Sequence, residues 1–300
     1  MAKKLQGGSA GIAIIVAVVV LGGIGFVLTQ DFKTGHNRLA DYGQAMKGDA
    51  ESQYQQGLKL LGSRAPGDAD KAQVWLEKAA GQGSVKAMLA LGDLHNASTT
   101  EADGDAAMMW YKKAAQAGNI EAKRKLGIGF DIGRGRMEPD HEAAMAQFEA
   151  AASAGDVPAQ RLYGAQLAFR QRFAEAQTWW LEAADKGDIA AEAALGDLYY
   201  AGRGGLKDYA KAFDWLGKAA EAGDMESQLT YSYMYYSGRG VKKDKAEAYK
   251  WVNLANDTGQ MKAQMKAKAA RDYLAEYLTD AEIAEGKARA ARWRAAHRKS

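Results

Sequence analysis

A six-residue phrase that ends in glycine recurs along most of the chain. It reads KAAGQG up to Gly83, KAAQAG up to Gly118 and KAAEAG up to Gly223. Looser copies end at Gly155, Gly187 and Gly259, so the steps are 32 to 37 residues long. A repeat of this length is one supersecondary unit that buries its apolar face only against its neighbours. The sequence therefore predicts six stacked repeats over residues 49–259.

Two further residue types recur at a fixed distance from these glycines, and we call each set of equivalent positions a column. Eight residues before the glycines stand Trp75, Trp110, Trp179, Trp215 and Trp251. Nine residues after them stand Gly92, Gly127, Gly164 and Gly196. The apolar spacing predicts two helices in each repeat. The tryptophans are predicted to fill the space between repeats. A glycine inside the first helix costs helix propensity, which predicts that a neighbouring helix approaches closely there. The repeat-ending glycine suits the left-handed position that follows a helix.

One stretch contains the whole pattern of the repeat. Residues 195–223 read LGDLYYAGRGGLKDYAKAFDWLGKAAEAG. This resembles the Sel1-like repeat family, a relative of the tetratricopeptide repeats, and the resemblance covers about residues 49 to 298. It implies an all-α fold, a right-handed solenoid of two-helix repeats that serves protein–protein assembly and regulation. It brings no shared catalytic residue. Bacterial members are often secreted or membrane-attached.

Motifs that would indicate an enzyme or a cofactor are missing from the sequence. The chain has no cysteine, and its four histidines are far apart, so neither a thiolate nor a zinc site is expected. The segment GRGGLK at residues 202–207 looks like a phosphate loop, but it is not followed by Ser or Thr. A net charge of +3 indicates no general attraction to nucleic acid. We therefore expect no catalytic residue, metal, cofactor or nucleic-acid partner.

The N-terminus is predicted to be a membrane anchor. A basic tail at residues 1–8 precedes an uncharged apolar run, and residues 9–29 as a helix would match the ~30 Å hydrocarbon core. The alternative is a cleaved secretory signal. The short basic tail favours a single-pass protein of the inner membrane with a periplasmic C-terminal domain. Small residues at four-residue spacing would let two anchors associate; they are Gly7, Gly11, Ala13 and Ala17. Residues 30–48 are predicted to be a linker with a partial capping helix.

Tyrosines of the last two repeats are the candidate partner-binding residues. Tyr200, Tyr233 and Tyr236 are predicted to form one strip, with Asp197 in the position that Tyr233 occupies one repeat later. Tyrosine is frequent at interface hot spots. The alternative is that these side chains only pack between repeats.

A helical cap is predicted over residues 260–300. Thr279 and Glu282 have the spacing of a capping box. The basic residues from Lys287 to Lys299 either contact an anionic lipid or partner, or form a solvated end. The whole pattern predicts a membrane-anchored adaptor in envelope assembly, secretion or signalling. The alternatives are a regulator that inhibits a membrane partner until it is released, and an enzyme acting on the cell wall.

Overall fold

The described part of the protein consists almost entirely of antiparallel helices. In this computed structural model, residues 16–21, 24–29, 48–63, 65–255 and 261–297 are described. The helices are α1 Ala50–Ser63, α2 Asp68–Gly81, α3 Val85–Asn96, α4 Glu101–Gln116, α5 Ile120–Ile132, α6 His141–Ser153, α7 Val157–Phe169, α8 Phe173–Asp185, α9 Ile189–Ala201, α10 Tyr209–Glu221, α11 Met225–Ser237, α12 Lys245–Leu254, α13 Met261–Ala275 and α14 Asp280–His297.

The chain divides into two compact units, Met1–Gln147 and Phe148–Ser300, with the boundary inside α6. In the first unit, α1 packs against α2, α2 against α3, α3 against α4, and α4 against α5. In the second unit, the same pattern runs from α7 to α12. Each unit is thus a stack of helix pairs, the arrangement of an α-solenoid.

The five repeat-ending glycines that the structure describes close their second helices as predicted; they are Gly83, Gly118, Gly155, Gly187 and Gly223. At the end of α2, the Gly83 amide donates to the Ala80 carbonyl at 2.9 Å, and the Ser84 amide donates to the Ala79 carbonyl at 3.0 Å. Gly83 has a φ of 89°, so this is a Schellman motif. Ser84 then caps the next helix, because its side chain accepts from the Ala87 amide. A glycine and a capping residue therefore make the whole connection between repeats.

The glycines inside the first helices lie where a second helix approaches closely. A methyl group at Gly92 would stand 2.4 Å from the Tyr111 ring, and one at Gly164 would stand 2.6 Å from the Trp180 indole. At Gly196 it would be 2.5 Å from Leu216 Cγ. Gly127 is buried in α5. The loss of helix propensity at these positions is thus offset by close helix packing.

In the second helices, the fully buried position is not the tryptophan position but the one that directly follows it. Trp75, Trp110, Trp179 and Trp215 are half-buried, and of the five named tryptophans Trp251 alone is fully buried. The buried side chains one position later are Leu76, Tyr111, Phe148, Trp180, Leu216 and Val252. A shift of one residue turns a helix by about 100°, so most of the tryptophans lie at the edge of the core.

The apolar N-terminal segment forms strands where the sequence predicted a helix. Strands β1, Val16–Leu21, and β2, Ile24–Thr29, pair antiparallel with Leu21 opposite Ile24. Val and Ile favour strands, and the residues between the strands are Gly22 and Gly23, a dipeptide typical of tight hairpins. The predicted transmembrane helix over residues 9–29 is therefore not supported in these stretches, because hydropathy alone does not separate one apolar helix from two apolar strands.

The remainder of that prediction lies outside the described residues. Ala17 is in β1, so the predicted pairing of two helices lacks support at that position. Gly7, Gly11 and Ala13, together with residues 30–47, belong to the part of the chain that is not described. None of the helices in the described ranges is both long enough and apolar enough to cross a bilayer.

The C-terminal helices pack on the last repeat. Helix α14 packs against α12, and α13 contacts α11 and α12. The predicted capping box is confirmed, because the Thr279 amide donates to Glu282 at 2.7 Å and the Glu282 amide donates to the Thr279 hydroxyl at 3.2 Å.

Candidate protein-binding surface

One position of the first helix is exposed in all six repeats. It directly follows the position of the glycine column, ten residues after Gly48, Gly83, Gly118, Gly155, Gly187 and Gly223. It holds Leu58, Asp93, Ile128, Ala165, Asp197 and Tyr233. The glycine side of each first helix packs on its second helix, so this position points away from the core. The chain thereby presents a surface whose side chains change from repeat to repeat.

Tyr233 is the largest side chain in this column and is 45% exposed. The guanidinium of Arg239 lies over its ring at 5.3 Å from the centroid, and also over Tyr200 at 5.8 Å and Tyr209 at 5.4 Å. Arg239 Nη1 donates to the Tyr200 hydroxyl at 2.9 Å. We call Tyr200, Tyr209, Tyr233 and Arg239 the tyrosine cluster. It is a flat aromatic surface around one permanent positive charge.

A glycine-rich turn positions Arg239. Gly238 and Gly240 have φ values of 78° and 72°, in the left-handed region. A methyl group at Gly240 would stand 2.1 Å from the Tyr209 carbonyl oxygen, so this turn packs directly on the preceding repeat. The hydrogen bond with Tyr200 raises the pKa of Arg239 further above its usual value. The turn is therefore more than a connection between α11 and α12, since it also joins the fifth and sixth repeats.

Tyr236 lies in a different group. Its ring is 6.5 Å from that of Tyr277, which is 5.1 Å from Tyr273. Tyr236 also packs on the buried cluster that contains Tyr249 and Leu274. The predicted strip of three tyrosines is thus divided, with Tyr200 and Tyr233 sharing Arg239 and Tyr236 contacting the C-terminal helices.

Asp197 lines a cavity between the fourth and fifth repeats, together with Trp180 and Arg203. The residue is exposed, but its carboxyl group borders apolar side chains. Loss of water there raises its pKa, and the nearby charge of Arg203 only partly opposes this.

Comparison with known proteins places the repeats in a family. The Sel1 repeat family matches the chain six times, at residues 50–84, 85–119, 120–156, 161–188, 189–224 and 226–258. The chain belongs to the Sel1 repeat family. Proteins with these repeats generally mediate protein–protein interaction, and the fold is typically a non-catalytic scaffold.

Two solved structures are similar to this Sel1 repeat protein. One is c5321, a protective antigen of uropathogenic Escherichia coli with an SLR fold, at 24% identity and a TM-score of 0.74; the match covers 87% of this chain and 57% of that one. The other is a Sel1 repeat protein from Oxalobacter formigenes, at 29% identity and a TM-score of 0.62, covering 75% of this chain and 66% of that one. The chain thus spans less than two thirds of either structure. No curated protein matches it.

The basic C-terminal helix is largely paired within the Sel1 domain. Arg289 donates to Asp244 at 2.7 Å and to Glu247 at 3.0 Å. Arg292 pairs with Glu285, and Arg294 donates to Asn253. The Trp293 indole donates to Glu221 at 2.6 Å. Arg289, Trp293 and Arg294 hold α14 on α10 and α12, whereas the pair of Arg292 and Glu285 lies within α14. Arg298 and Lys299 lie outside the described residues.

Arg239 and Tyr209 are the members of the tyrosine cluster that sequence reasoning missed. The available signal was the recurrence of Gly-Arg-Gly at residues 133–135, 202–204 and 238–240. Glycine alone explains a turn, whereas a constant arginine between the glycines indicates a second role. In the third repeat that role is also visible, because Arg134 donates to the backbone carbonyls of Asn96 and Ser98 in the preceding repeat.

Proposed function

We propose that this Sel1 repeat protein is an adaptor that binds a partner protein through the exposed face of its first helices, with the tyrosine cluster as the main contact. The observation that carries the proposal is the exposed ring of Tyr233 beside Arg239. Aromatic and arginine side chains supply most of the binding energy at protein interfaces. Arg239 and Tyr200 fix each other before the partner arrives, which reduces the entropy lost on binding.

The partner that suits this surface combines apolar and acidic side chains. Apolar groups pack on the faces of Tyr200 and Tyr233, and a carboxylate pairs with the guanidinium of Arg239. Arg239 has no acidic partner in an ion pair among the described residues, so its charge is available for this contact.

Photocrosslinking in living cells tests the proposal. A benzophenone amino acid at position 233 should give a discrete adduct with one protein, which mass spectrometry then identifies. Asp214 is the matched control, since it is exposed on the second helix α10. Equal adducts from both positions, or none from position 233, would contradict the proposal.

We further propose that the uncharged segment at residues 9–29 attaches the adaptor to the inner membrane, with the repeats in the periplasm, where it serves envelope assembly, secretion or signalling. The absence of charged residues from this segment supports the proposal. Spanning would require the segment to form a helix in the bilayer in place of β1 and β2, because the unpaired edges of two strands are not satisfied in lipid. Deleting residues 9–29 should then move the protein from the carbonate-washed membrane fraction to the supernatant; an unchanged distribution would contradict attachment.

Contact of the C-terminal tail with anionic lipid is a separate part of the proposal. It relies on Lys287, which is exposed, and on Arg298 and Lys299. Replacing these three residues by glutamine should reduce binding to phosphatidylglycerol vesicles. Unchanged vesicle binding would contradict it.

A further inference from the structure

A cavity of about 160 Å³ lies between the fourth and fifth repeats, inside the second unit. Its lining includes Ala168, Phe173, Trp180, Asp197, Leu198 and Arg203. Asp197 and Arg203 are exposed, so the cavity meets solvent where these two charged side chains stand. Trp180 and Leu198 are buried and form an apolar floor.

The next junction along the chain shows what occupies the corresponding space. Counted from the repeat-ending glycines Gly155 and Gly187, Ala168 in the fourth repeat corresponds to Tyr200 in the fifth. Arg203 likewise corresponds to Arg239 one repeat later. Between the fifth and sixth repeats, the Tyr200 hydroxyl accepts a hydrogen bond from Arg239, and the guanidinium lies over the ring. Between the fourth and fifth repeats, Arg203 has an alanine at that position.

The aromatic residue that supports the tyrosine is present at both junctions. Tyr209 begins α10 and is 5.5 Å from the Tyr200 ring. Phe173 begins α8 and lines the cavity. The third residue of the glycine-rich turn packs against it, since a methyl group at Gly204 would be 2.8 Å from Phe173 Cβ. The junction between the fourth and fifth repeats therefore has an arginine and an aromatic residue at the positions of Arg239 and Tyr209, and it differs by having alanine at the position of Tyr200.

The two charged groups at the cavity attract each other but are not bonded to each other. Neither the Asp197 carboxylate nor the Arg203 guanidinium makes a side-chain hydrogen bond or an ion pair with another described residue. In the second repeat, Asp93 occupies the position of Asp197 and accepts a hydrogen bond from the Tyr111 hydroxyl at 2.8 Å. A carboxylate in this column thus already pairs with a phenol elsewhere in the same protein.

We propose that this cavity binds a tyrosine side chain of the partner protein. The inference rests on the proposed adaptor function and names one residue type that the partner contributes. The phenol ring packs between Phe173 and Trp180, its hydroxyl donates to Asp197, and it accepts from Arg203. The size agrees, because an apolar cavity of about 150 Å³ holds benzene.

The charges at the cavity discriminate against other side chains. Arg203 repels lysine and Asp197 repels a carboxylate. A phenylalanine would displace water from both polar groups without offering either of them a hydrogen bond, and this costs affinity. A phenol satisfies both groups, because its hydroxyl is a donor and an acceptor.

Titration of the purified full chain with p-cresol and with toluene tests the site without the partner. We expect p-cresol to shift the NMR signal of the Trp180 indole N–H and to bind about tenfold more tightly than toluene, a factor that matches one net hydrogen bond. Equal affinity for the two probes would mean that the cavity is only an apolar space. No shift with either probe would mean that nothing enters it. Both results overturn the proposal.

Three variants test whether p-cresol binds at this cavity. Ala168→Tyr should fill it as Tyr200 fills its own junction, so it should abolish p-cresol binding and raise Tm. Tyr200→Ala is the matched variant, because it should open a second p-cresol site beside Arg239. Asp197→Asn should reduce the preference for p-cresol over toluene. If p-cresol still binds Ala168→Tyr, or if Asp197→Asn keeps the full preference, the assignment is wrong.

Capture of the crosslinked partner separates this inference from the proposed function. Ala168→Tyr should weaken partner capture if the cavity takes a partner tyrosine. If capture depends on Tyr233 but not on Ala168→Tyr, the adaptor function stands and the cavity assignment is overturned. If neither position affects capture, the proposed function itself fails.

Discussion

At the scale of single residues, neighbouring positions on one helix carry different shares of the stability. Leu216 is 1% exposed in α10, whereas the neighbouring Trp215 is half-buried, with the ammonium of Lys218 3.9 Å from its ring centroid. Trp215 therefore buries one face against the core and offers the other to a cation.

Leu216→Ala should destabilise the protein by about 2–5 kcal/mol, because it leaves a cavity at a site with no solvent. Trp215→Ala should cost only about half of the ~3–5 kcal/mol usual for a fully buried aromatic residue. Urea denaturation of both variants measures the difference. If Trp215→Ala lowered the free energy of unfolding more than Leu216→Ala does, the tryptophans rather than the residues after them would form the core.

Replacing the two aspartates of the exposed column should shift Tm in opposite directions at neutral pH. Loss of water around its carboxyl group raises the pKa of Asp197 in the folded state. As the pH rises, this carboxyl therefore ionises in the unfolded chain before it ionises in the folded chain. The folded state loses stability between the two pKa values. At neutral pH, Asp197→Asn should therefore raise Tm relative to the parent. Below the usual carboxyl pKa of 3.8, the difference should vanish.

Asp93→Asn is the matched control for that measurement. Asp93 is paired with Tyr111 and Lys125, so its replacement should lower Tm at neutral pH. If both variants shift Tm in the same direction at pH 7, the account of Asp197 is incorrect.

At the scale of helices, the spacing between paired helices is set by glycine. A side chain at position 196 meets not only the Leu216 side chain but also its backbone nitrogen, at 3.1 Å. Because a backbone atom cannot rotate away, α9 and α10 would have to separate.

Gly196→Ala should destabilise the protein by about 1–3 kcal/mol, although alanine favours the helix by about 1 kcal/mol. Gly62→Ala is the control, since Gly62 is in α1 and a methyl group there meets nothing within 4 Å. It should keep the propensity gain and stabilise slightly. Equal effects in urea denaturation would contradict close packing at Gly196.

The elements that the sequence predicted best are those specified by local rules. The Schellman glycine at Gly83 and the capping box at Thr279 follow from short-range hydrogen bonds, so their spacing reveals them directly. Strands β1 and β2 were missed because an apolar run satisfies both a helix and two strands. The role of Arg239 was missed because its partners, Tyr200 and Tyr209, belong to the preceding repeat and are 39 and 30 positions away in the sequence.

At the scale of the whole molecule, repetition separates stability from recognition. The repeat-ending glycines and the glycines inside the first helices recur along the chain, while the exposed column varies from Leu58 to Tyr233. The tyrosine cluster and the cavity beside Asp197 both belong to the second unit. We therefore expect the main partner contacts to lie within residues 148–300.

The most direct test is the Kd of the crosslinked partner for two tyrosine variants of the full chain. Tyr233→Ala removes the exposed member of the tyrosine cluster. Tyr273→Ala removes a tyrosine that is 61% exposed and belongs to the separate group with Tyr236 and Tyr277. We predict that Tyr233→Ala raises Kd about tenfold or more, as expected for an interface hot spot. Tyr273→Ala should leave Kd within about twofold of the parent, as is usual for residues outside a hot spot. An unchanged Kd for Tyr233→Ala, or a larger rise for Tyr273→Ala, would contradict the proposal that the first-helix face binds the partner.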